Sequence, residues 1–302
     1  MKKFKRRNIV SRSDRIFDGI MTYVPTLYVA LLFMVPMIAG FYFSLTDFGG
    51  YNLNVKYVGL INYKRLFADH VFWLSIWNYL KFYLLTSAVC YPVAFIFAVM
   101  LTKNPQLKER GLYRVLFFLP STIPGMVIAL IWIGMFNPSI GAINIILGLF
   151  GIEPVRWLGD SNVVMISLMI VVVWRQMGFY MAYLMAAISN IPDDIYESAR
   201  IDGANEFMQT IKITVPLAWD CIITCLLFFV KGAMSLGFGL VFIMTKGGPD
   251  NASQIMSSYM YYAIANNLDY GMASAIGVMI LVVTTILSVI ILKISKRETY
   301  EY

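Results

Sequence analysis

The sequence has little of what a soluble protein carries on its surface. Charged residues make up 14% of its 302 positions and hydrophobic residues 59%, whereas soluble domains carry about 25% charged residues. Histidine occurs once and cysteine three times, and Cys90, Cys221 and Cys225 all lie in apolar segments. Neither a disulfide framework nor a metal site is predicted from so few ligands. The composition indicates a membrane protein.

Two further absences concern energy coupling. The sequence has no G-x-x-x-x-G-K-[ST] phosphate-binding loop, so an ATP site, if one is used, is expected on another polypeptide. Of the seventeen Asp and Glu residues, only Asp220 falls within an apolar run. Ion-coupled carriers commonly hold their ion with buried carboxylates or broken helices. The pattern therefore argues against an ion-coupled secondary transporter, which stays the less favoured alternative, and no catalytic residue is expected.

Long apolar runs dominate what is present. A helix of about 20 residues crosses a hydrocarbon core of about 30 Å, and six runs reach that length: 20–46, 73–101, 114–136, 163–189, 214–244 and 272–292. They predict an all-α polytopic protein of the lipid bilayer, in which six spans at 20–292 separate a basic segment (1–19) from a tail (293–302). The first run is too long for a signal peptide and is interpreted as a retained span.

Lysine and arginine are distributed unevenly between the loops. They concentrate before the first run, after the second and after the last: Lys2, Lys3, Lys5, Arg6, Arg7, Arg12, Arg15, Lys103, Lys108, Arg110, Arg114, Lys293, Lys296 and Arg297. Positive charge near span ends is held on the cytoplasmic side. Both termini are therefore predicted to be cytoplasmic, as is the loop 190–216 between the fourth and fifth runs.

This loop contains a polar, glycine-broken stretch, YESARIDGANEFMQTIKITVPL. Asp194 followed by Glu197 is a capping-box pattern that predicts a helix start. Asp202-Gly203 predicts the end of that helix, because glycine adopts the left-handed conformation. Small residues at this turn would let another surface approach closely.

A second short helix is predicted after the turn. Phe207, Ile211 and Thr214 have the i, i+4, i+7 spacing of one helical face, and Pro216 predicts a non-helical Val215 at the entry to the fifth span. A compact helix-turn-helix suits docking. From these residues alone, a loop that merely joins two spans is the alternative.

The stretch resembles the EAA loop of ABC importer permeases: Glu-Ala-Ala, three residues, Gly, nine residues, Ile, one residue, Leu-Pro. The matching positions, with Ser198 for alanine and Val215 for leucine, are Glu197, Ser198, Ala199, Gly203, Ile213, Val215 and Pro216. The stretches 57–69, 114–132, 157–160 (WLGD) and 244–253 (MTKGGPDNAS) also resemble the carbohydrate, MalF/UgpA-like branch of that family.

The resemblance implies an assembly. Its members would be a second (MalG-like) permease, two cytoplasmic ATPases that bind ATP and magnesium, an extracytoplasmic solute-binding protein and a sugar substrate. No cofactor, metal or nucleic acid is expected on this chain. The residues assigned by resemblance to ATPase coupling are Glu197, Ser198, Ala199, Asp202, Gly203, Ala204 and Phe207.

Three cations, Lys81, Arg175 and Lys231, lie within apolar runs without an acid of this chain at similar depth. A charge there costs at least ~2.5 kcal/mol unless it is hydrated or paired. Lys81 lies close enough to the run's end to reach the interface. The positions of Arg175 and Lys231 predict that these cations contact a water-filled cavity, the partner permease or an anionic solute. A structural bridge to the partner is the alternative.

A possible sugar path follows the fourth run. Gln176, Tyr180 and Tyr183 form one helical stripe by i, i+4, i+7 spacing, and aromatic and amide groups suit sugar rings and hydroxyls. Together with Arg175 and Lys231 they are predicted to line the path, although packing is the alternative for each aromatic. A neutral sugar is favoured; an acidic sugar or a glycerol-phosphate-type solute is the alternative.

Overall fold

The computed structural model describes residues 12–51, 55–103 and 108–295, apart from the side chains of 12–15, 231 and 233–235. The predicted basic segment up to residue 11 and the tail beyond 295 lie outside the described residues. The described part is all-α, as predicted, with one isolated β-bridge between Thr46 and Tyr57. Its helices are α1 (Arg12–Ser44), α2 (Ile61–Ala68), α3 (His70–Lys103), α4 (Arg110–Thr122), α5 (Gly125–Met135), α6 (Ala142–Leu149), α7 (Val164–Ser189), α8 (Asp193–Ile201), α9 (Glu206–Gln209), α10 (Val215–Leu217), α11 (Trp219–Leu240), α12 (Met256–Asn267) and α13 (Tyr270–Ile294), with π-helical turns at Thr210–Thr214 and Val241–Thr245.

Four helices, α1, α3, α7 and α13, are long and apolar enough to cross a membrane, and the count reaches six if two bent pairs each form one span. The third predicted run is bent by 99° between α4 and α5. Ile123 at this break has φ −76° and ψ 135°, because a residue that precedes proline, here Pro124, is pushed out of the helical region. The third predicted run therefore consists of two helices, α4 and α5, which form one span if the bent pair is counted together.

The second bend, of 67°, separates the helical segment ending at Leu217 from α11. Ala218 at the bend has φ −90° and ψ 6°. Val215, predicted to be non-helical, is helical with φ −62° and ψ −50°. A π-turn at Thr210–Thr214 precedes Pro216. In such a turn each N–H bonds to the carbonyl five residues back instead of four. The chain thus bends three residues later than the proline rule predicts.

The core lies where α3 and α7 pack along one another, with α4 and α11 against them. Gly178 of α7 lets α4 approach so closely that a Cβ there would overlap the carbonyl oxygen of Phe117. The helix α1 lies against α13, and its apolar residues are otherwise exposed. Such a surface is compatible with a bilayer, because apolar side chains in contact with lipid need no protein cover.

The helix α3 connects the two ends of the molecule. It has 34 residues and is therefore about 50 Å long. Lys103 at one end contacts Thr214 in the predicted cytoplasmic loop, and Asp69, just before the other end, contacts Tyr259 of α12. The loops after α3 and α7 therefore share one end of the bundle, as the predicted alternation of spans requires.

Candidate functional site: a helix-turn-helix loop and a broken-helix path

The helix α8 opens the predicted coupling loop. It begins at Asp193 with Pro192 as its N-cap, and no side-chain capping hydrogen bond is formed. The predicted capping box is therefore wrong. A different side-chain bond forms within the helix, in which Ser198 Oγ donates to the carbonyl of Asp194 at 2.8 Å. The N-cap is Pro192, two residues before the predicted Asp194, because the proline ring already supplies a fixed φ, here −57°.

The turn after α8 has the predicted geometry. Gly203 has φ +83°, the left-handed region that closes helices. Two backbone N–H groups return to the last turn of α8: Ala204 to the carbonyl of Ala199 at 2.8 Å, and Gly203 to that of Arg200 at 3.0 Å. Asn205 then caps α9 by accepting from the N–H of Met208 at 2.8 Å.

The predicted second face, Phe207, Ile211 and Thr214, is only partly correct. Phe207 and Ile211 are exposed, but Thr214 is fully buried. The reason is the π-turn over 210–214, whose i→i+5 bonds change the rotation per residue. Thr214 is therefore turned away from the exposed face and into the protein.

The surface of the loop combines polar groups with large apolar side chains, of which Ile201 and Phe207 are the most exposed. Five of the residues assigned to coupling are exposed and two, Ala199 and Ala204, are half-buried; the exposed ones are Glu197, Ser198, Asp202, Gly203 and Phe207. Phe207 is 77% exposed and Ile201 is 87% exposed. Sequence reasoning missed Ile201, although its position beside the turn was a signal. Exposed apolar groups on a polar rim are typical of a protein contact.

Tyr196 ties this loop to the membrane helices. It is 5% exposed, and the ammonium of Lys103 lies 3.4 Å from the centroid of its ring. The same ammonium donates to Thr214 Oγ1 at 2.8 Å, and the Tyr196 hydroxyl lies 3.1 Å from that oxygen. Sequence reasoning missed these partners, because Lys103 is 111 residues from Thr214.

Arg175 lies beside the break between α4 and α5. Its guanidinium donates to the carbonyl of Ile123 at 3.3 Å, a carbonyl at the break between the two helices. The Nε atom is buried and has no hydrogen-bond partner among the described residues. Sequence reasoning considered acids, water or a solute as compensation for this cation; the structure adds a main-chain carbonyl, which only the fold brings within reach.

The other predicted path residues differ in exposure. Tyr180 is 2% exposed and its ring packs against those of Tyr91 and Phe229, with centroids 4.9 and 6.0 Å apart. Tyr183 is 39% exposed and Gln176 is half-buried. The backbone of Lys231 belongs to α11, and its side chain lies outside the described residues.

A row of tyrosines on α3 holds α11. The hydroxyls of Tyr79, Tyr83 and Tyr91 donate to main-chain carbonyls of α11, at 3.0, 3.3 and 2.6 Å. The acceptors belong to Val230, Leu226 and Cys225. These hydrogen bonds satisfy the three hydroxyls, which would be costly to bury without a partner. The row thus joins α3 and α11 without any charge.

A polar cavity of about 450 Å³ lies at the end of the bundle opposite the coupling loop. Arg65 pairs with Asp269 at 3.1 Å, and the Tyr259 hydroxyl donates to Asp69. Burial, with a contribution from Asp69, raises the pKa of Tyr259, so this hydroxyl stays a proton donor. Other polar lining residues include Lys246, Asn251, Gln254, Asn266 and Asn267.

Comparison with known proteins identifies this architecture. The family model described as "binding-protein-dependent transport system inner membrane component" matches residues 91–300. The chain is 32% identical over 281 residues to a probable ABC transporter permease protein, YurN, of Bacillus subtilis, covering 92% of this chain and 96% of that one. It is 31% identical over 281 residues to the trehalose/maltose transport system permease protein MalF of Thermococcus litoralis, covering 92% and 93%.

A solved structure has the same fold. It belongs to a bacterial ABC transporter involved in the import of the acidic polysaccharide alginate. The TM-score is 0.81 at 23% identity, covering 95% of this chain and 97% of that one. Together with the family match, the shared fold confirms the resemblance inferred from the sequence motifs.

Proposed function

Since this chain belongs to the family of binding-protein-dependent transport system inner membrane components, we infer that its solute is a sugar or oligosaccharide. The chain is a multi-pass permease subunit of an ABC importer and not an enzyme. The observation that carries this inference is the 31% identity to a trehalose/maltose permease over 92% of the chain. The sequence motifs at 57–69, 114–132 and 244–253 favour the same carbohydrate branch.

A neutral sugar fits the site better than an acidic one. The guanidinium of Arg175 donates to the carbonyl of Ile123, so a main-chain dipole already offsets part of the cost of this cation and an anionic solute is not the only group that can do so. The alternative, an acidic sugar or a glycerol-phosphate-type solute, is favoured by the buried Nε of Arg175, which has no partner in the described part of the chain. We propose that the path is lined by Arg175, Gln176, Tyr180, Tyr183 and Lys231.

The remaining parts of the importer are proposed as partners. They are a second, MalG-like permease, two ATPases that bind ATP and magnesium, and an external solute-binding protein. The coupling surface would comprise the seven assigned loop residues, to which the exposed Ile201 is added. Closure of the ATPases would displace this loop and move the permeases between inward-facing and outward-facing states, a hinge or rigid-body transition that requires a stiff connection.

Uptake by the reconstituted complex tests the solute. The wild-type complex, with its binding protein, is expected to import a neutral oligosaccharide in an ATP-dependent way. The measurement is accumulation of matched neutral and acidic radiolabelled sugars in proteoliposomes. Absence of uptake for every sugar in the panel would refute the proposed solute class.

Arg175→Gln separates the two solute classes. For a neutral sugar we expect the same modest loss of uptake for the neutral and the acidic analogue, because the variant disturbs the contact with Ile123 but breaks no bond to an anion. Lys81→Gln is the matched control, since Lys81 is an exposed intramembrane cation whose ammonium lies 5.4 Å from the Trp77 ring centroid. A selective 10- to 150-fold fall for the acidic sugar, corresponding to a lost charge-assisted bond of roughly 1.5–3 kcal/mol, would contradict the neutral path.

Membrane orientation is proposed from the charge asymmetry: both termini are cytoplasmic, and the polar cavity at the opposite end faces the binding protein. Reporter fusions at Asn54, Glu153 and Asp250 are expected to report an external location, and fusions after Tyr302 an internal one. The measurement is the ratio of alkaline phosphatase to fluorescent-protein activity. An external C-terminus would show that the orientation is inverted.

A further inference from the structure

A single buried side chain anchors the helix α8. Among the described residues of this helix, Tyr196 is the buried one, and the others are half-buried or exposed. Beside it, a polar cavity of about 430 Å³ separates much of α8 from the ends of α3 and α7. The lining includes Asp193, Glu197 and Arg200 of α8. The helix therefore does not rest on the membrane helices along its whole length.

Three segments meet at Tyr196. The Lys103 ammonium, at the end of α3, stands over the ring of Tyr196 at 3.4 Å and bonds Thr214 at 2.8 Å. The Tyr196 hydroxyl closes the triangle at 3.1 Å from Thr214 Oγ1. Thr214 belongs to the π-turn that leads into α10 and α11. One ammonium at the end of α3 thus contacts both α8 and the π-turn that leads into α11.

We propose that Lys103, Tyr196 and Thr214 form a clamp that transmits displacement of α8 to α3. This proposal rests on the proposed function, in which α8 contacts an ATPase. Each of the three is a positioning residue, because none is assigned to the solute path. The clamp makes the loop and α3 move together, and without it α8 can tilt into the neighbouring polar cavity.

The helix α3 is well placed to pass this motion on. It packs along α7, which carries Arg175, and its tyrosine row holds α11 by three hydrogen bonds to main-chain carbonyls. A displacement of α3, transmitted from Lys103, would therefore displace α7 and α11, the two helices that carry proposed path residues. Packed interfaces convert small shifts into switches between discrete arrangements.

The chemistry of the clamp defines its variants. Lys103→Met keeps an unbranched stem that is one atom shorter but removes the ammonium whose charge attracts the ring face. Lys103→Arg keeps the charge and the stacking on the ring. Thr214→Val removes the hydroxyl at nearly constant shape. Lys212→Met is the control, because Lys212 is an exposed lysine of the same π-turn.

The test is the ratio of sugar imported to ATP hydrolysed in proteoliposomes that contain the complete importer. We expect Lys103→Met and Tyr196→Leu each to lower this ratio at least fivefold while ATP hydrolysis persists. Lys103→Arg is expected to restore most of the ratio, and Thr214→Val to lower it about twofold. The double variant Lys103→Met/Tyr196→Leu should be no worse than either single one, since both break the same contact.

The outcomes separate the clamp from the proposed function. Wild-type and Lys212→Met complexes that import sugar, together with a normal ratio in Lys103→Met, overturn the clamp and leave the function standing. Equal losses of complex yield, ATP hydrolysis and uptake in Lys103→Met and Thr214→Val would make the cluster a folding element and also overturn the clamp. A wild-type complex that hydrolyses ATP but imports no sugar overturns the proposed function and the clamp with it.

Discussion

Gly178→Ala is expected to remove most of the folded permease from the membrane. A Cβ at this position would overlap the carbonyl oxygen of Phe117 and crowd the N atom of Phe118. These are backbone atoms of α4, which cannot yield by changing a rotamer. Overpacking a core typically costs 1–3 kcal/mol when side chains can shift, and we expect more than about 3 kcal/mol here because the whole helix must move. The measurement is the yield and thermal unfolding midpoint of the detergent-purified complex.

The loss should be specific to the contact with α4. Gly134→Ala is the matched control, because Gly134 is also in a helix but no atom of a neighbouring element lies within 4 Å of the position that its Cβ would take. The control is expected to accumulate like the wild type, and the gain in helix propensity can even stabilise it slightly. A Gly178→Ala complex with unchanged yield and unfolding midpoint would show that α4 does not pack here as the structure places it.

Gly203→Val is expected to reduce transport at least tenfold while the protein still inserts in the membrane. Gly203 has φ +83°, and a non-glycine residue in this region costs roughly 1–2 kcal/mol, with β-branched residues at the high end. Nothing lies within 4 Å of the position that a Cβ would take, so the strain changes the turn without disturbing the membrane core. The turn is expected to open and to reorient α8 relative to α9. The measurement is ATP-driven uptake, normalised to the permease recovered.

Gly151→Val controls for strain as such. Gly151 also has a positive φ, +74°, and open space around its Cβ position, but it follows α6 and lies outside the coupling loop. Its uptake is expected to stay near the wild-type level. If both variants transport equally well, the turn at Gly203 has no coupling role. If both variants lose uptake, strain in any loop is sufficient to stop transport, and the loop after α7 has no specific coupling role.

The coupling loop shows how far local sequence signals reach. The end of α8 was predicted correctly because the left-handed turn at Gly203 depends on one residue's own conformational freedom. The capping box at Asp194 and the common face of Phe207 and Thr214 were wrong. Both rules assume a regular helix. Pro192 moved the start of α8, and the π-turn changed the rotation per residue between Phe207 and Thr214.

The membrane path shows where such signals end. The break at Ile123 was available from the proline that follows it, but hydropathy alone merged α4 and α5 into one run. The partner of Arg175 was not available, because the carbonyl of Ile123 is 52 residues away. The burial of Tyr180 against Tyr91 likewise depends on the packing of α3 on α7. The solute-path assignments therefore stay predictions, to be decided by the uptake experiments.

By itself the sequence determined the membrane class, the apolar runs and the position of the polar loop after α7. These follow from the free energy of burying contiguous side chains in lipid, to which each residue contributes according to its own chemistry. Only the tertiary structure decided that Lys103 stands over Tyr196, that Arg175 reaches a broken helix and that Gly178 meets α4. Those contacts join residues far apart in the chain, and their partners are set by the angles at which helices cross and bend, which no local pattern encodes.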